Sequence, residues 1–88
     1  MTKQNKPICK TDSDGNKSWY LNGKLHREDG PAVEHASGTK RWFYHGKLHR
    51  EDGPAVEYAD GSKHWYLNGE FITDDPLVAM IMFYDKTK

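Results

Sequence analysis

A repeat with a period of 23 residues constrains this chain more than any other feature of its sequence. Tryptophan recurs at Trp19, Trp42 and Trp65, and the twelve residues 23–34 recur without a change at 46–57. Self-similarity at a fixed short period is the signature of architectures in which similar units stack on their neighbours. We therefore expect a tandem array rather than a fold built around one unrepeated core.

The array has imperfect copies at both of its ends. A third copy starts at Gly61 and degenerates after Phe71. Residues 7–13 resemble a degenerate (worn) version of the segment that starts at Pro31. A chain of 88 residues is long enough for one small domain. We predict a single domain over residues 1–88, divided into a worn N-terminal strand (7–13), the repeats (14–71) and a C-terminal helix (73–86).

Each copy has the sequence pattern of β-hairpins. Pairs such as Asp14-Gly15 and Asn22-Gly23 suit the positive φ angles of tight turns, which we expect at Gly23, Gly38, Gly46, Gly61 and Gly69. The segments between the turns are rich in β-branched and aromatic residues, and none is long enough for a crossover helix. The predicted fold class is mainly β, an open antiparallel meander, with strands at 7–12, 16–21, 31–36, 39–44, 54–59 and 62–67 and a short return after each second turn.

Alternation along the strands gives the sheet two aromatic faces. Successive side chains point to opposite sides of a strand, so the three tryptophans share one face and a second aromatic row occupies the other. One interpretation is that the tryptophans form the core and the second row packs between repeats. The alternative is that one aromatic face contacts a protein partner. The candidate partner-binding residues of the second row are Tyr20, Phe43 and Tyr66.

The C-terminal segment departs from the repeat and predicts a helix, with a seventh strand as the alternative. Asp75 is suited to cap this helix, and Pro76 is suited to its first position. Its residues are apolar on most sides, so a single-layered sheet can cover only part of it. We expect one stripe to lie on the sheet, formed by Leu77, Met80 and Ile81. The remaining candidates for contact with a partner or a second copy are Val78, Met82 and Phe83.

Charge and cysteine content exclude several classes of protein. Lys and Arg together number 13, as do Asp and Glu, so the formal net charge is zero, and we expect no generic nucleic-acid binding. The single cysteine, Cys9, can form no disulfide within the chain. The longest apolar run, 77–84, is shorter than half of a membrane span, and residues 1–7 contain no apolar leader. We predict a cytoplasmic protein with no membrane span.

The repeated His-Arg pairs are the main candidates for a ligand site, and they have two interpretations. Arginine suits bidentate contact with phosphate, so a nucleotide or a lipid phosphate could bind at His26, Arg27, His49 and Arg50. The third copy has Ile72 and Thr73 at these positions and no hairpin after it. If the His-Arg pairs stabilise the next repeat, by hydrogen bonding to its backbone or pairing with Glu34 or Glu57, then the loss of the pair at the end of the array is expected. We prefer this structural interpretation.

No arrangement of residues in the sequence indicates catalysis. The histidines and carboxylates are not spaced for a tetrahedral metal site, and there is no nucleophile elbow, phosphate loop or zinc-protease helix. We therefore expect no catalytic residues, no metal, no cofactor and no enzymatic activity.

The repeat resembles a known family. The 23-residue period and the run Trp19-Tyr20-Leu21-Asn22-Gly23-Lys24-Leu25-His26 are similar to MORN repeats over residues 14–71. The likeness is greatest to a variant with His-Arg-x-Asp-Gly-Pro-Ala that occurs in small bacterial and viral proteins. The resemblance implies an open meander of hairpins and a scaffold or interaction module rather than an enzyme. The run Arg27-Glu28-Asp29-Gly30-Pro31 departs from the usual glycine-rich link, so lipid binding is not carried over.

Together these features predict a non-enzymatic protein-binding module. The viral character of the repeat variant suggests a phage-encoded inhibitor of a host or defence protein, acting in the host cytoplasm. The alternative function is the binding of a small ligand at the His-Arg pairs. The C-terminal segment and the unpaired sheet edges also predict a homo-oligomer.

Overall fold

Short strands succeed one another along the chain because two-residue turns reverse the backbone every few residues. The computed structural model describes residues 6–84. Its strands are β1 (Ile8–Thr11), β2 (Lys17–Leu21), β3 (Lys24–Leu25), β4 (Val33–Glu34), β5 (Lys40–Arg41), β6 (Phe43–Tyr44), β7 (Lys47–Leu48), β8 (Val56–Glu57), β9 (Lys63–Leu67) and β10 (Glu70–Thr73). A short helix, α1 (Pro76–Ala79), follows and continues into a π-helical turn (Met80–Tyr84).

The strands form an open antiparallel meander, which confirms the predicted fold class. The main sheet has the order β1-β2-β4-β5-β8-β9-β10, with β3 beside β2. The β6–β7 hairpin continues this surface, because the Arg27 N–H donates to the Phe43 carbonyl at 3.1 Å and the Gly46 N–H donates to the Leu25 carbonyl at 2.8 Å. Each repeat therefore extends the sheet in one direction.

The tight turns have the backbone conformation that the sequence predicts. Asn22 and Gly23 both have positive φ, at 52° and 83°, and the equivalent pairs at 45–46 and 68–69 repeat this geometry. Two successive left-handed residues match the right-handed twist of the flanking strands. Gly38 (107°) and Gly61 (95°) are also left-handed, so the prediction for all five turn glycines is confirmed.

The strand register defines two faces of the sheet. One face, here the tryptophan face, carries the three tryptophans and a cross-strand row of alternating Lys and Glu, formed by Lys17, Glu34, Lys40, Glu57 and Lys63. The opposite face, here the tyrosine face, carries the second aromatic row and a parallel row formed by Lys10, Ser18, Val33, Arg41, Val56 and His64. Directly paired residues share a face, so the register fixes this division.

The C-terminal helix has the predicted cap at Asp75 but is shorter than predicted. The Asp75 carboxylate accepts a hydrogen bond from the Leu77 N–H at 2.9 Å, and Pro76 occupies the first turn. The helix starts at Pro76 rather than at residue 73 because the chain up to Thr73 pairs with β9 as strand β10. Residues 85 and 86 of the predicted helix lie outside the described part of the chain.

The buried stripe of this helical segment differs from the prediction. Ala79 and Phe83 pack with Trp65 in a cluster that Leu67 and Ile72 flank. The predicted buried stripe is wrong, because Leu77, Met80 and Ile81 are all more than half exposed. Phe83, which was expected to point outwards, is buried. The small side chain of Ala79 lets the backbone approach the tryptophan, and the π-helical turn changes the angular spacing assumed for a regular helix.

Candidate functional site

A loop leaves the sheet in each complete repeat and carries the His-Arg pair. In the first repeat the His26 N–H donates to the Trp19 carbonyl at 3.0 Å, and the Trp19 N–H donates to the Ala32 carbonyl at 2.8 Å. One tryptophan backbone thus holds both ends of the loop that contains residues 27–31. Trp42 holds the second loop in the same way, through His49 and Ala55. The loops therefore have fixed positions over the tryptophan face.

Each loop arginine stacks on the tryptophan of its own repeat. The guanidinium carbon of Arg27 lies 3.8 Å from the centre of the Trp19 ring, and that of Arg50 lies 3.9 Å from the centre of the Trp42 ring. A cation over an indole ring is favourable, and more so where water is partly excluded. Both side chains are only 23% exposed. The arginine side chains thus cover the first two tryptophans.

The same arginines are held by three further contacts each. In the second loop, Arg50 Nε donates to Asp52 at 3.0 Å, while Nη1 donates to the Pro54 carbonyl and to Glu57, both at 3.1 Å. Arg27 makes the equivalent contacts with Asp29, Pro31 and Glu34. The predicted pairing with Glu34 and Glu57 is therefore present in the structure.

A glycine leaves room for each guanidinium on the side away from the indole ring. A Cβ atom added at Gly53 would lie 2.7 Å from the Arg50 guanidinium carbon, and one added at Gly30 would lie 3.1 Å from that of Arg27. Contacts below 3.0 Å essentially never occur, so a side chain at position 53 would displace the Arg50 guanidinium, whereas one at position 30 would only crowd that of Arg27. The side chain is thus enclosed between an indole ring and a glycine backbone. Sequence reasoning missed both glycines, although their position four residues before each Glu is invariant between the two copies.

The histidines connect consecutive repeats. His26 Nδ1 accepts a hydrogen bond from the His45 N–H at 2.8 Å, and His49 Nδ1 accepts one from the Asn68 N–H at 2.9 Å. These donors belong to the turns of the following repeats, so the predicted bond to the next repeat is present. His26 is only 2% exposed, and its ring contacts Tyr44 at a centroid distance of 4.6 Å.

In the third repeat, the C-terminal helical segment covers the tryptophan in place of an arginine side chain. Ile72 and Thr73 stand where the complete copies have His and Arg, and Ala79 and Phe83 cover Trp65. Asp75 aligns with Asp29 and Asp52, but it caps α1 instead of binding a guanidinium. The helix therefore does at the end of the array what the arginines do within it.

A groove lies between the two loops on the tryptophan face. Its lining includes Trp42, Tyr44 and the two guanidiniums, together with four carboxylate side chains, Glu28, Asp29, Glu51 and Asp52. Four carboxylates against two arginines give this groove a net negative charge, which does not favour phosphate. Within residues 6–84 no group of three or more His, Cys, Asp or Glu side chains could hold a metal ion.

The predicted partner-binding residues occupy different places in the structure. On the helical segment the exposed apolar side chains are Leu77, Val78, Met80, Ile81 and Met82. Val78 and Met82 are thus accessible, whereas Phe83 is in the core cluster. The other three predicted residues are half-buried on the tyrosine face: Tyr20, Phe43 and Tyr66. The structure does not bring the two groups into one site.

Comparisons with known proteins identify no relative: no protein-family model, no curated protein and no solved structure matches this chain. The resemblance to MORN repeats thus stays a prediction that rests on the sequence motif. In the described part of the chain, no helix combines the length and apolar character needed to cross a membrane.

Proposed function

We propose that the protein is a non-enzymatic protein-binding module that inserts its C-terminal helical segment into an apolar groove of a partner protein. The observation that carries the proposal is the exposed apolar surface of this segment. Leu77 is 69% exposed and Ile81 67%, and Val78, Met80 and Met82 extend the surface between them. No charged residue occurs from 76 to 84. A short helix with apolar anchors at this spacing is a common form of recognition in a groove.

The role of the helix as a cap for the array does not explain this surface. Terminal repeats keep such arrays soluble by presenting a polar outer face. Here the inner face of the segment, formed by Ala79 and Phe83, is sufficient to cover Trp65. The outer face is apolar where a cap alone would be polar. A contiguous apolar surface on a small protein typically marks an interaction site.

Binding without reaction implies that the protein acts by occupying the surface of its partner. A phage-encoded inhibitor of a host or defence protein would act in this way. The net charge of zero supports a protein partner rather than generic nucleic acid.

The alternative function, binding of a phosphate-bearing ligand at the His-Arg pairs, has less support. Nε and Nη1 of both arginines already donate to carboxylates and carbonyls, and both histidine Nδ1 atoms accept backbone hydrogen bonds. Four exposed carboxylates also surround the groove that such a ligand would enter. A ligand could therefore use these atoms only by breaking contacts that hold the repeats together.

Affinity capture from cells of the source, with the exposed helical surface altered, tests the proposal. The variant Ile81→Asp, Met82→Asp should lose a stoichiometric partner that the wild type retains. The variant Ser13→Asp, Ser37→Asp is the matched control, because it adds the same charge at exposed turns. Equal recovery of the partner by all three proteins would contradict the proposal. A small ligand that native mass spectrometry finds on the purified wild type would favour the alternative.

A further inference from the structure

The carboxylates of the described strands and loops are distributed unevenly between the two faces of the sheet. All described strand carboxylates lie on the tryptophan face: Glu34 and Glu57 in the Lys-Glu row, and Glu70, which pairs with Leu67. The loop acids between β3 and β4 and between β7 and β8 also lie over this face. The tyrosine face carries Lys10, Arg41 and His64 but no strand carboxylate in the described chain.

Within residues 6–84, Arg41 is the only arginine without an ionic partner. Arg27 and Arg50 each contact two carboxylates, whereas Arg41 contacts none within residues 6–84. It lies between Val33 and Val56 in the cross-strand row, and its Nε atom is buried with no hydrogen-bond partner in that part of the chain. A buried N–H group without an acceptor is desolvated and unsatisfied, which costs free energy. Its planar donors suit a carboxylate supplied from outside the chain.

The aromatic row beside Arg41 supplies the apolar part of this surface. One ring stands in each repeat, and Phe71, which is 52% exposed, extends the row through contacts with Tyr66 and His64 at centroid distances of 5.5 and 5.6 Å. Strand spacing in a sheet places equivalent rings of consecutive repeats about 10 Å apart. Enrichment in Tyr, Phe and Arg with depletion of Asp and Glu is the composition of a protein interface core.

We infer that the tyrosine face is a second binding surface, which takes an acidic amphipathic segment of a partner protein. Apolar side chains of that segment lie on the row of Tyr20, Phe43 and Tyr66, and its carboxylates meet Arg41 and Lys10. The inference rests on the proposed function only for the class of partner, a protein, and uses none of the helical surface. Protein is favoured over single-stranded nucleic acid because this face has only two described strand cations. They lie several strands apart and do not form a continuous track for phosphates.

Fluorescence anisotropy with the full-length protein tests this inference. The probe is a short labelled amphipathic peptide with a leucine stripe flanked by glutamates, and its counterpart carries lysine at each glutamate position. We expect the acidic peptide to bind at least about tenfold more tightly than the basic one, with an affinity that falls as salt is raised. Failure of the acidic peptide to bind, or equal binding of both peptides, would overturn the inference.

Two charge reversals of the same size locate the surface. Lys10→Glu alters the tyrosine face, and Lys17→Glu alters the tryptophan face on the neighbouring strand; both side chains are exposed. The acidic peptide should bind Lys10→Glu about tenfold more weakly and Lys17→Glu with little change. Arg41→Gln should weaken it similarly. Equal effects of the two lysine reversals would refute the assignment of the face.

Two controls separate this inference from its competitors. The Ile81→Asp, Met82→Asp variant should bind the acidic peptide normally, so the failure of one proposal is distinguishable from the failure of the other. A labelled thymidine oligonucleotide should bind more weakly than the acidic peptide. Tighter binding of the oligonucleotide, lost in Lys10→Glu, would replace a protein partner with single-stranded nucleic acid and overturn the inference.

Discussion

Replacing Arg50 with alanine tests whether the loop arginines are structural. The change removes the cover of Trp42, the hydrogen bond to the Pro54 carbonyl and the ion pair with Glu57. It also leaves the half-buried Glu57 carboxylate without its guanidinium. We expect a clear loss of stability with the sheet otherwise intact.

The magnitude follows from the separate contacts. The cation–π contact at 3.9 Å is half-buried and contributes about 1 kcal/mol. The hydrogen bond to Pro54 contributes about 1 kcal/mol. The pair with Glu57, which is 34% exposed, contributes roughly 0.5 kcal/mol after solvent screening, and the pair with the largely exposed Asp52 adds little. The sum is about 2.5 kcal/mol, which in a domain of this size lowers Tm by roughly 10–20 °C.

Thermal and urea unfolding, followed by circular dichroism and tryptophan fluorescence, measure this effect. Arg50→Lys is the informative companion, because it keeps the charge but cannot reproduce the planar contacts, and it should recover only a minor part of the loss. Glu57→Gln combined with Arg50→Ala should show coupling between the two residues. An unchanged melting curve for Arg50→Ala would refute the structural role. If binding of a ligand were lost at the same time, Arg27 and Arg50 would become site residues.

Three further changes test other parts of the structure. Gly53→Ala should destabilise more than Gly30→Ala in urea unfolding, because its Cβ would come closer to the guanidinium, 2.7 against 3.1 Å; equal effects would contradict this. Phe83→Ala should cost about 3 kcal/mol and shift the fluorescence of the tryptophan beneath it, and an unchanged spectrum would show that the helix does not cover that ring. The side-chain hydrogen bond from Asn16 holds the pKa of Asp12 below 3.8, so this contact stabilises the fold above that pH and the effect is lost as pH falls through the folded pKa. Asn16→Ala should raise the midpoint of the Asp12 carboxyl in an NMR titration, and an unmoved midpoint would exclude the hydrogen bond as the cause.

The sequence predicted those features that depend on local backbone chemistry. Turn glycines such as Gly23 and Gly46 indicate positive φ directly, and the pair Asp75-Pro76 indicates a helix start. Because the sequence is periodic, each local prediction applies to every repeat. The antiparallel meander follows from this. The contacts of the His-Arg pairs were also predictable, because the third copy loses the pair where no next repeat follows.

The features that were not predictable depend on tertiary contact. The buried stripe of the C-terminal segment is set by the fit of Ala79 and Phe83 on Trp65, and the large apolar residues at 77, 80 and 81 gave the opposite expectation. The need for glycine at position 53 arises only when a guanidinium lies above it. That Arg41 has no ionic partner within residues 6–84 becomes apparent only from the three-dimensional structure.

The affinity of the captured partner for two variants tests the central claim most directly. That claim is that the His-Arg pairs are structural and that the C-terminal segment carries the binding surface. By isothermal titration calorimetry, Arg50→Lys should bind with a Kd within about threefold of wild type despite its lower Tm. The Ile81→Asp, Met82→Asp variant should show no measurable binding at an unchanged Tm. Retained binding by the helical variant, with binding abolished by Arg50→Lys at an unchanged Tm, would contradict the claim.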